Sequence, residues 1–220
     1  MTTAGLSMFN INHPEKYLYT FLLCLLLFIP FSVFAADTAP LKTDIWSSGV
    51  GEGFRDGTGV LGINLGGTYD LRLGSEEQHN FALISVSYGQ MIGNVKGEGK
   101  WYRGNWELLA ELFGGAQVNP ETCAILGLTP HLRYNFATGT RFVPYVDVGI
   151  GLTLTEIREP DLGAAFQFND QANIGVNYFV KDNLGINIAV QYMHLSSAGI
   201  SKPNKGVNTV GCFLGLNWFF

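Results

Sequence analysis

His194 and Ser196 stand two residues apart in the stretch VQYMHLSSAGISKPNKGVN, residues 190–208, and Asn208 closes it. A serine hydroxyl beside an imidazole is a nucleophile with its base, and a third polar group on the other ring nitrogen fixes the tautomer. Asn fills that third place in some cysteine proteases, although it cannot offset an imidazolium charge as a carboxylate does. The same spacing also arises by chance at the polar end of a strand. What decides between these readings is the architecture that carries the three residues.

That architecture reads as β throughout. From residue 58 onward apolar and polar residues alternate with period two, and no amphipathic helical period stands out. Eight segments carry the alternation: 60–73, 81–89, 105–117, 125–136, 142–154, 166–180, 184–196 and 208–220. In the seventh, Ile186, Ile188, Val190 and Tyr192 share one face, and Asn187 and Gln191 lie on the other. Each segment approaches or exceeds the roughly 9–11 residues that cross a bilayer at a tilt. Two architectures fit such strands, a soluble sandwich and a membrane barrel turned apolar side out. Three features favour an eight-stranded antiparallel barrel of the outer-membrane type. The polar faces mix Glu, Asp, Arg, Asn and Gln with Gly, as a packed or wet lumen does. Tyr69, Tyr88, Tyr134, Tyr178 and Trp218 fall at strand ends, as interfacial aromatics do. The chain also ends on Phe220 at the close of an alternating strand, which resembles the signal read by the machinery that assembles bacterial outer-membrane barrels.

Composition narrows the partners. The net charge is −5, Gly numbers 28, and only 14% of residues are charged. No basic run follows the first 40 residues, so nucleic acid is not an expected partner. Residues 1–35 read as a signal peptide: Lys16 precedes the apolar stretch YLYTFLLCLLLFIPFSVFA, which ends in the small-x-small form Val33-Phe34-Ala35. A retained anchor is the alternative, disfavoured by Pro30 and by that cleavage site. Residues 36–57 are a Gly-rich lead-in with no assignable role, and 58–220 form the barrel. Cys123 and Cys212 fall on non-adjacent strands and read as small apolar residues.

An even number of strands puts both termini on the periplasmic side. The loops at 73–79, 119–123, 155–165 and 197–207 then face outward, and those at 95–103, 137–141 and 181–183 face the periplasm. His194 and Ser196 continue the apolar face of the seventh strand, so they sit on the lipid side near its outer end. Asn208 shares the lipid face of Val210, Cys212 and Leu214, and the hairpin allows it to stand nearly opposite His194. Polar residues converging on a lipid-facing wall are costly unless they hydrogen-bond one another.

The stretch HLSSAGISKPNKGVN resembles the signature of the PagL-type lipid A 3-O-deacylases, a family of eight-stranded outer-membrane hydrolases whose pattern runs roughly H-x-S-N-A-G-x-x-x-P-N-x-G-x-E/N. His194, Ser196, Ala198, Gly199, Pro203, Asn204, Gly206 and Asn208 fall on it in register. PYVDVGIG (144–151) and FQFND (166–170) look like the family's fifth and sixth strands. The resemblance implies Ser196 as nucleophile, His194 as general base and Asn208 as orienting group. Asn204 and the backbone N–H of Gly199 become oxyanion candidates. It implies hydrolysis of the ester at position 3 of lipid A, in the lipopolysaccharide of the outer leaflet, with release of a 3-hydroxy fatty acid and no cofactor. This chain departs from the pattern at two places: Asn208 stands where Glu is frequent, and Ser197 where Asn usually follows the serine.

Other polar residues read as structural. Glu107 and Glu111 share an inward face and are expected to pair with Arg133 or nearby groups; His131 points inward as well. His79 lies in a loop with no evident partner cluster, so no metal site is expected. Two further readings stay open: a structural or adhesive barrel whose site has decayed, and an esterase acting on phospholipid.

Overall fold

The computed structural model describes residues 54–220. Eight strands follow in chain order: β1 (Gly59–Asp70), β2 (Asn80–Lys96), β3 (Gly104–Asn119), β4 (Cys123–Phe136), β5 (Phe142–Thr155), β6 (Phe166–Lys181), β7 (Leu184–Ser196) and β8 (Val207–Phe219). Each pairs antiparallel with the next, and β8 pairs with β1, so the barrel closes without an edge. The signal-peptide reading of 1–35, and the lead-in up to residue 53, lie outside the described residues.

One end of the barrel holds both ends of the described chain and the turns at 97–103, 137–141 and 182–183. The other end holds loop 1 (71–79), loop 2 (120–122), loop 3 (156–165) and loop 4 (197–206). We call these the terminus end and the loop end.

The outer wall is apolar because alternate residues of every strand face away from the lumen. Leu61, Ile63, Ile84, Val148, Ile150, Ile174 and Leu214 are all exposed there. Aromatic pairs ring the wall towards the terminus end, among them Trp106 with Tyr134 (centroids 4.9 Å apart) and Phe142 with Tyr178 (6.3 Å). Cys123 and Cys212 are free thiols.

The lumen is filled in three layers rather than being polar throughout. Its middle is a charged belt. Arg133 donates from Nε to Asp147 at 2.8 Å and lies 3.9 Å from Glu107, and His131 Nδ1 stands 3.0 Å from Asp147. His131 Nε2 is 3.6 Å from Glu111, so the pairing expected for the inward carboxylates is present. Gly89 makes room for it: a Cβ there would stand 2.2 Å from Glu107 Oε1. On either side of the belt the inward positions turn apolar. Phe81, Leu83, Phe113, Ile125, Met193, Leu195 and Phe213 pack towards the loop end. Phe54, Val60, Met91, Val143, Phe179 and Phe219 pack towards the terminus end. Alternation alone could not locate these two layers, because an apolar residue on the inner face looks like a break in the pattern.

The last residues of the lead-in do have a structural role. Phe54 is buried, with its ring edge-on to Phe179 (6.1 Å) and Phe219 (5.6 Å), and its carbonyl accepts the amide of Asn105. It stoppers the terminus end.

Candidate active site

The seam between β7 and β8 sets the site. His194 and Asn208 are direct cross-strand partners, as the hairpin spacing predicts. His194 Nδ1 lies 2.8 Å from Asn208 Oδ1. The hydroxyl of Tyr192, two residues earlier on the same face, donates to the same oxygen at 2.8 Å. Asn208 Nδ2 in turn donates to the carbonyl of Leu73 in loop 1 at 2.8 Å. That last bond settles which end of the amide faces the ring. With Oδ1 turned to the imidazole, Nδ1 must carry the proton, and the lone pair is left on Nε2. Asn208 is buried although it belongs to the outer face, because loop 1 covers it: Leu71 N–H also donates to the Asn208 carbonyl at 2.7 Å.

Gly206 packs against the other edge of the ring. Its φ is +78°, and a Cβ there would stand 2.8 Å from His194 Cε1. Both the conformation and the close approach require glycine at this position.

Ser196 is half-buried on the same face as His194, opposite Phe168 of β6. Its hydroxyl makes no hydrogen bond among the described residues. The chain turns sharply just beyond it, with Ala198 and Gly199 both at positive φ (52° and 80°). Asn204 faces back into this turn. Its Oδ1 accepts the Ser197 amide at 2.7 Å and stands 3.0 Å from the Ser197 hydroxyl, while its NH2 has no partner among the described residues. Ser197, where the family pattern has Asn, is buried and also contacts Ser201 through its hydroxyl. It therefore has a positioning role of its own. No partner among the described residues takes the Gly199 N–H.

Two features around the site were missed in the sequence. Asp170 is exposed on the outer face of β6 directly across from His194, on the side opposite Asn208. Its alternation with Phe168 carried that signal. Tyr192 lies on the apolar face, and only the position of Asn208 reveals what its hydroxyl does.

His79 corrects the expectation of an isolated loop residue. It is buried, with Nδ1 2.6 Å from Gln117 Oε1 and Nε2 2.9 Å from Asp161 Oδ2. Asp161 is buried in loop 3 and also accepts the amides of Glu76 (2.7 Å) and Glu77 (3.0 Å). Burial by itself pushes the Asp161 carboxyl up, but those two amides and the His79 ring together bring it below its usual 3.8. Among the described residues, no group of three or more His, Cys, Asp or Glu side chains could hold a metal ion.

A closed eight-stranded barrel with an apolar outer wall belongs to the class of small outer-membrane barrels, and this one carries a histidine, a serine and an asparagine together on that wall. The sequence profile of the family described as lipid A 3-O-deacylase (PagL) matches residues 62–217, most of the chain, and the protein belongs to that family. It is 35% identical over 80 residues to the lipid A deacylase PagL of Bordetella bronchiseptica, covering 35% of this chain and 42% of the relative. It is 29% identical over 91 residues to the lipid A deacylase PagL of Pseudomonas aeruginosa, covering 40% of this chain and 50% of the relative. The aligned stretch thus spans about half the length of these curated relatives. A crystal structure of the outer membrane enzyme PagL superposes with a TM-score of 0.50 at 19% identity, over 71% of this chain and 97% of that one. At that identity the likeness concerns the fold.

Proposed function

We propose that this barrel is an esterase of the outer membrane that removes the 3-O-linked acyl chain of lipid A, with Ser196 as nucleophile, His194 as base and Asn208 as orienting group. The observation that carries the reading is the His194–Asn208 contact at 2.8 Å, held on the lipid-facing wall by Leu73 and Tyr192 and two residues from Ser196. It leaves Nε2 of His194 as the proton acceptor, which is the tautomer a general base needs.

The reaction requires Ser196 Oγ to reach Nε2, and apo sites of this kind commonly tighten only with substrate bound. Oγ gives its proton to Nε2 and attacks the ester carbonyl. The tetrahedral oxyanion forms beside the Asn204 NH2 and the Gly199 N–H. Its collapse breaks the bond to the sugar oxygen, which takes the proton back from His194. Water, deprotonated by His194, then hydrolyses the acyl-serine and frees a 3-hydroxy fatty acid. Asn208 holds the Nδ1 proton in place but leaves the imidazolium charge unbalanced. No step calls for a cofactor. The site at the loop end opens sideways onto lipid, which suits lipopolysaccharide of the outer leaflet, and Phe220 would serve the barrel-assembly machinery.

The test is the lipid A mass spectrum of a bacterium of known lipid A structure, expressing either this chain or its Ser196→Ala variant. Loss of one 3-hydroxyacyl group with the wild type alone supports the reading. Unchanged spectra from both, with folded barrels shown by heat-modifiable gel mobility, would leave a structural barrel or an esterase acting on phospholipid.

A further inference from the structure

The mechanism makes no use of His79 and Asp161, yet both are wholly buried and carry polar groups at an end of the barrel otherwise closed by loops. Burying such groups is costly unless each is satisfied, so a pair this well partnered signals a specific purpose. Asp161 binds loop 1 three times through its carboxylate: to the amides of Glu76 and Glu77 and to the ring of His79. It binds loop 4 once through its own carbonyl, which accepts the Lys205 amide at 3.0 Å. Through His79 the same cluster reaches Gln117, whose Nε2 donates to the Glu121 carbonyl in loop 2 at 2.8 Å. Asp161 therefore ties loop 3 directly to loop 1 through its carboxylate and to loop 4 through its carbonyl, and reaches loop 2 through His79 and Gln117.

Two short routes lead from Asp161 to the catalytic histidine. The first runs through loop 1. Its base is folded by buried Asp70, which accepts the amides of Arg72 (2.8 Å) and His79 (3.0 Å) and the hydroxyl of Ser75 (2.9 Å). Asp161 fixes its tip at residues 76–77. Between these anchors lies Leu73, whose carbonyl orients the Asn208 amide and thereby selects the tautomer of His194. The second route runs through loop 4. Lys205, held by the Asp161 carbonyl, precedes Gly206, which packs on the His194 ring. Loop contacts reinforce both routes: Glu76 pairs with Lys205, Leu162 bridges to Asn204, and a Cβ on Gly74 would stand 2.7 Å from the Lys205 carbonyl.

We propose that Asp161 and His79 are positioning residues for the esterase reaction, a buried clasp that sets the Asn208 amide and so holds His194 with its proton on Nδ1. The proposal rests on the reading of His194 and Ser196 given above. Neither clasp residue hydrogen-bonds to His194 or Ser196. Asp161→Asn keeps the side-chain volume but presents one oxygen and one NH2 where two amides now donate, so one of these hydrogen bonds to loop 1 is lost.

The test compares wild type, Asp161→Asn, His79→Gln and the loop-3 control Glu159→Gln, each folded into lipid vesicles. Two measurements are made: the kinetics (kcat and KM) of deacylation of lipid A carrying a 3-O-linked acyl chain, and the 15N shifts of the His194 ring. The expected result for Asp161→Asn is a kcat about 10–100-fold lower, with KM within about twofold, as for a small misplacement of reacting groups. Its His194 shifts should move from a single Nδ1–H tautomer towards a mixture. His79→Gln should change both in the same direction but less, and Glu159→Gln should change neither. A lowered melting temperature with kcat and ring shifts unchanged would overturn the proposal and leave the clasp merely structural. The ring shifts do not depend on substrate, so they separate the two claims. An inactive wild type whose His194 tautomer still responds to Asp161→Asn would sink the esterase reading and keep the clasp; active enzymes with identical ring shifts and kcat would do the reverse.

Discussion

The two ends of this barrel are closed by opposite means. At the terminus end Phe54, Phe179, Phe219, Met91 and Val143 form an apolar stopper. At the loop end Asp70, His79, Gln117 and Asp161 tie four loops through hydrogen bonds. Apolar packing is non-directional and fills space, whereas hydrogen bonds fix angles. An end that only has to be sealed can rely on the first. An end that must aim an amide at an imidazole needs the second. Substitutions at the stopper should therefore cost stability, and substitutions at the loop end should cost rate.

Ser196→Ala or His194→Ala should remove the sharpest difference between the two ends. Each should lower kcat/KM for ester hydrolysis by about 10³-fold or more, as expected when a nucleophile or its base is lost. Release of 3-hydroxy fatty acid from purified lipid A measures it. Asn208 comes next. Asn208→Ala leaves the Nδ1 proton without its acceptor and should cost about 10²–10⁴-fold in kcat. Asn208→Asp is more informative, since its second oxygen would face the Leu73 carbonyl that now accepts from Nδ2 at 2.8 Å. It should not exceed the wild-type rate, despite supplying the charge that a triad normally has.

Phe54→Ala tests the other end. It should destabilise the barrel by about 3–5 kcal/mol, read as a shift in urea unfolding from micelles, with kcat within about twofold of wild type. A large loss of kcat would erase the contrast between the ends. The smallest effect is with pH. Asp161 has its folded-state pKa lowered from 3.8, so its contribution is whole above that value and is lost as the pH falls through the folded one. The amide proton shifts of Glu76 and Glu77 should accordingly stay constant at neutral pH and titrate only in acid. In Asp161→Asn they should not titrate.

The strands were the most legible part of the sequence. Period-two alternation located all eight, and an apolar outer face left the barrel as the consistent reading. The pairing of His194 with Asn208 was legible for the same reason, since strand parity and hairpin length fix register. Loop 1 was not legible. Its contribution to the site is the carbonyl of Leu73, and backbone groups leave no mark in residue identity. His79 and Asp161 are 82 residues apart, and nothing local in either loop announces the other. Phe54 looked like part of a featureless lead-in, because a single aromatic among glycines has no period. Ser197, a departure from the family pattern, holds its turn through bonds that only the folded loop reveals.

The central claim is that the loop end turns Ser196 into a nucleophile on a wall that faces lipid. A long-chain alkyl fluorophosphonate tests it most directly, because an activated serine displaces fluoride and keeps the phosphonyl group. The folded protein would be treated in detergent, digested, and each serine peptide weighed. The account predicts phosphonylation at Ser196, lost in His194→Ala and slowed in Asn208→Ala. No label at Ser196 in the folded wild type, or labelling there that persists unchanged without His194, would contradict it.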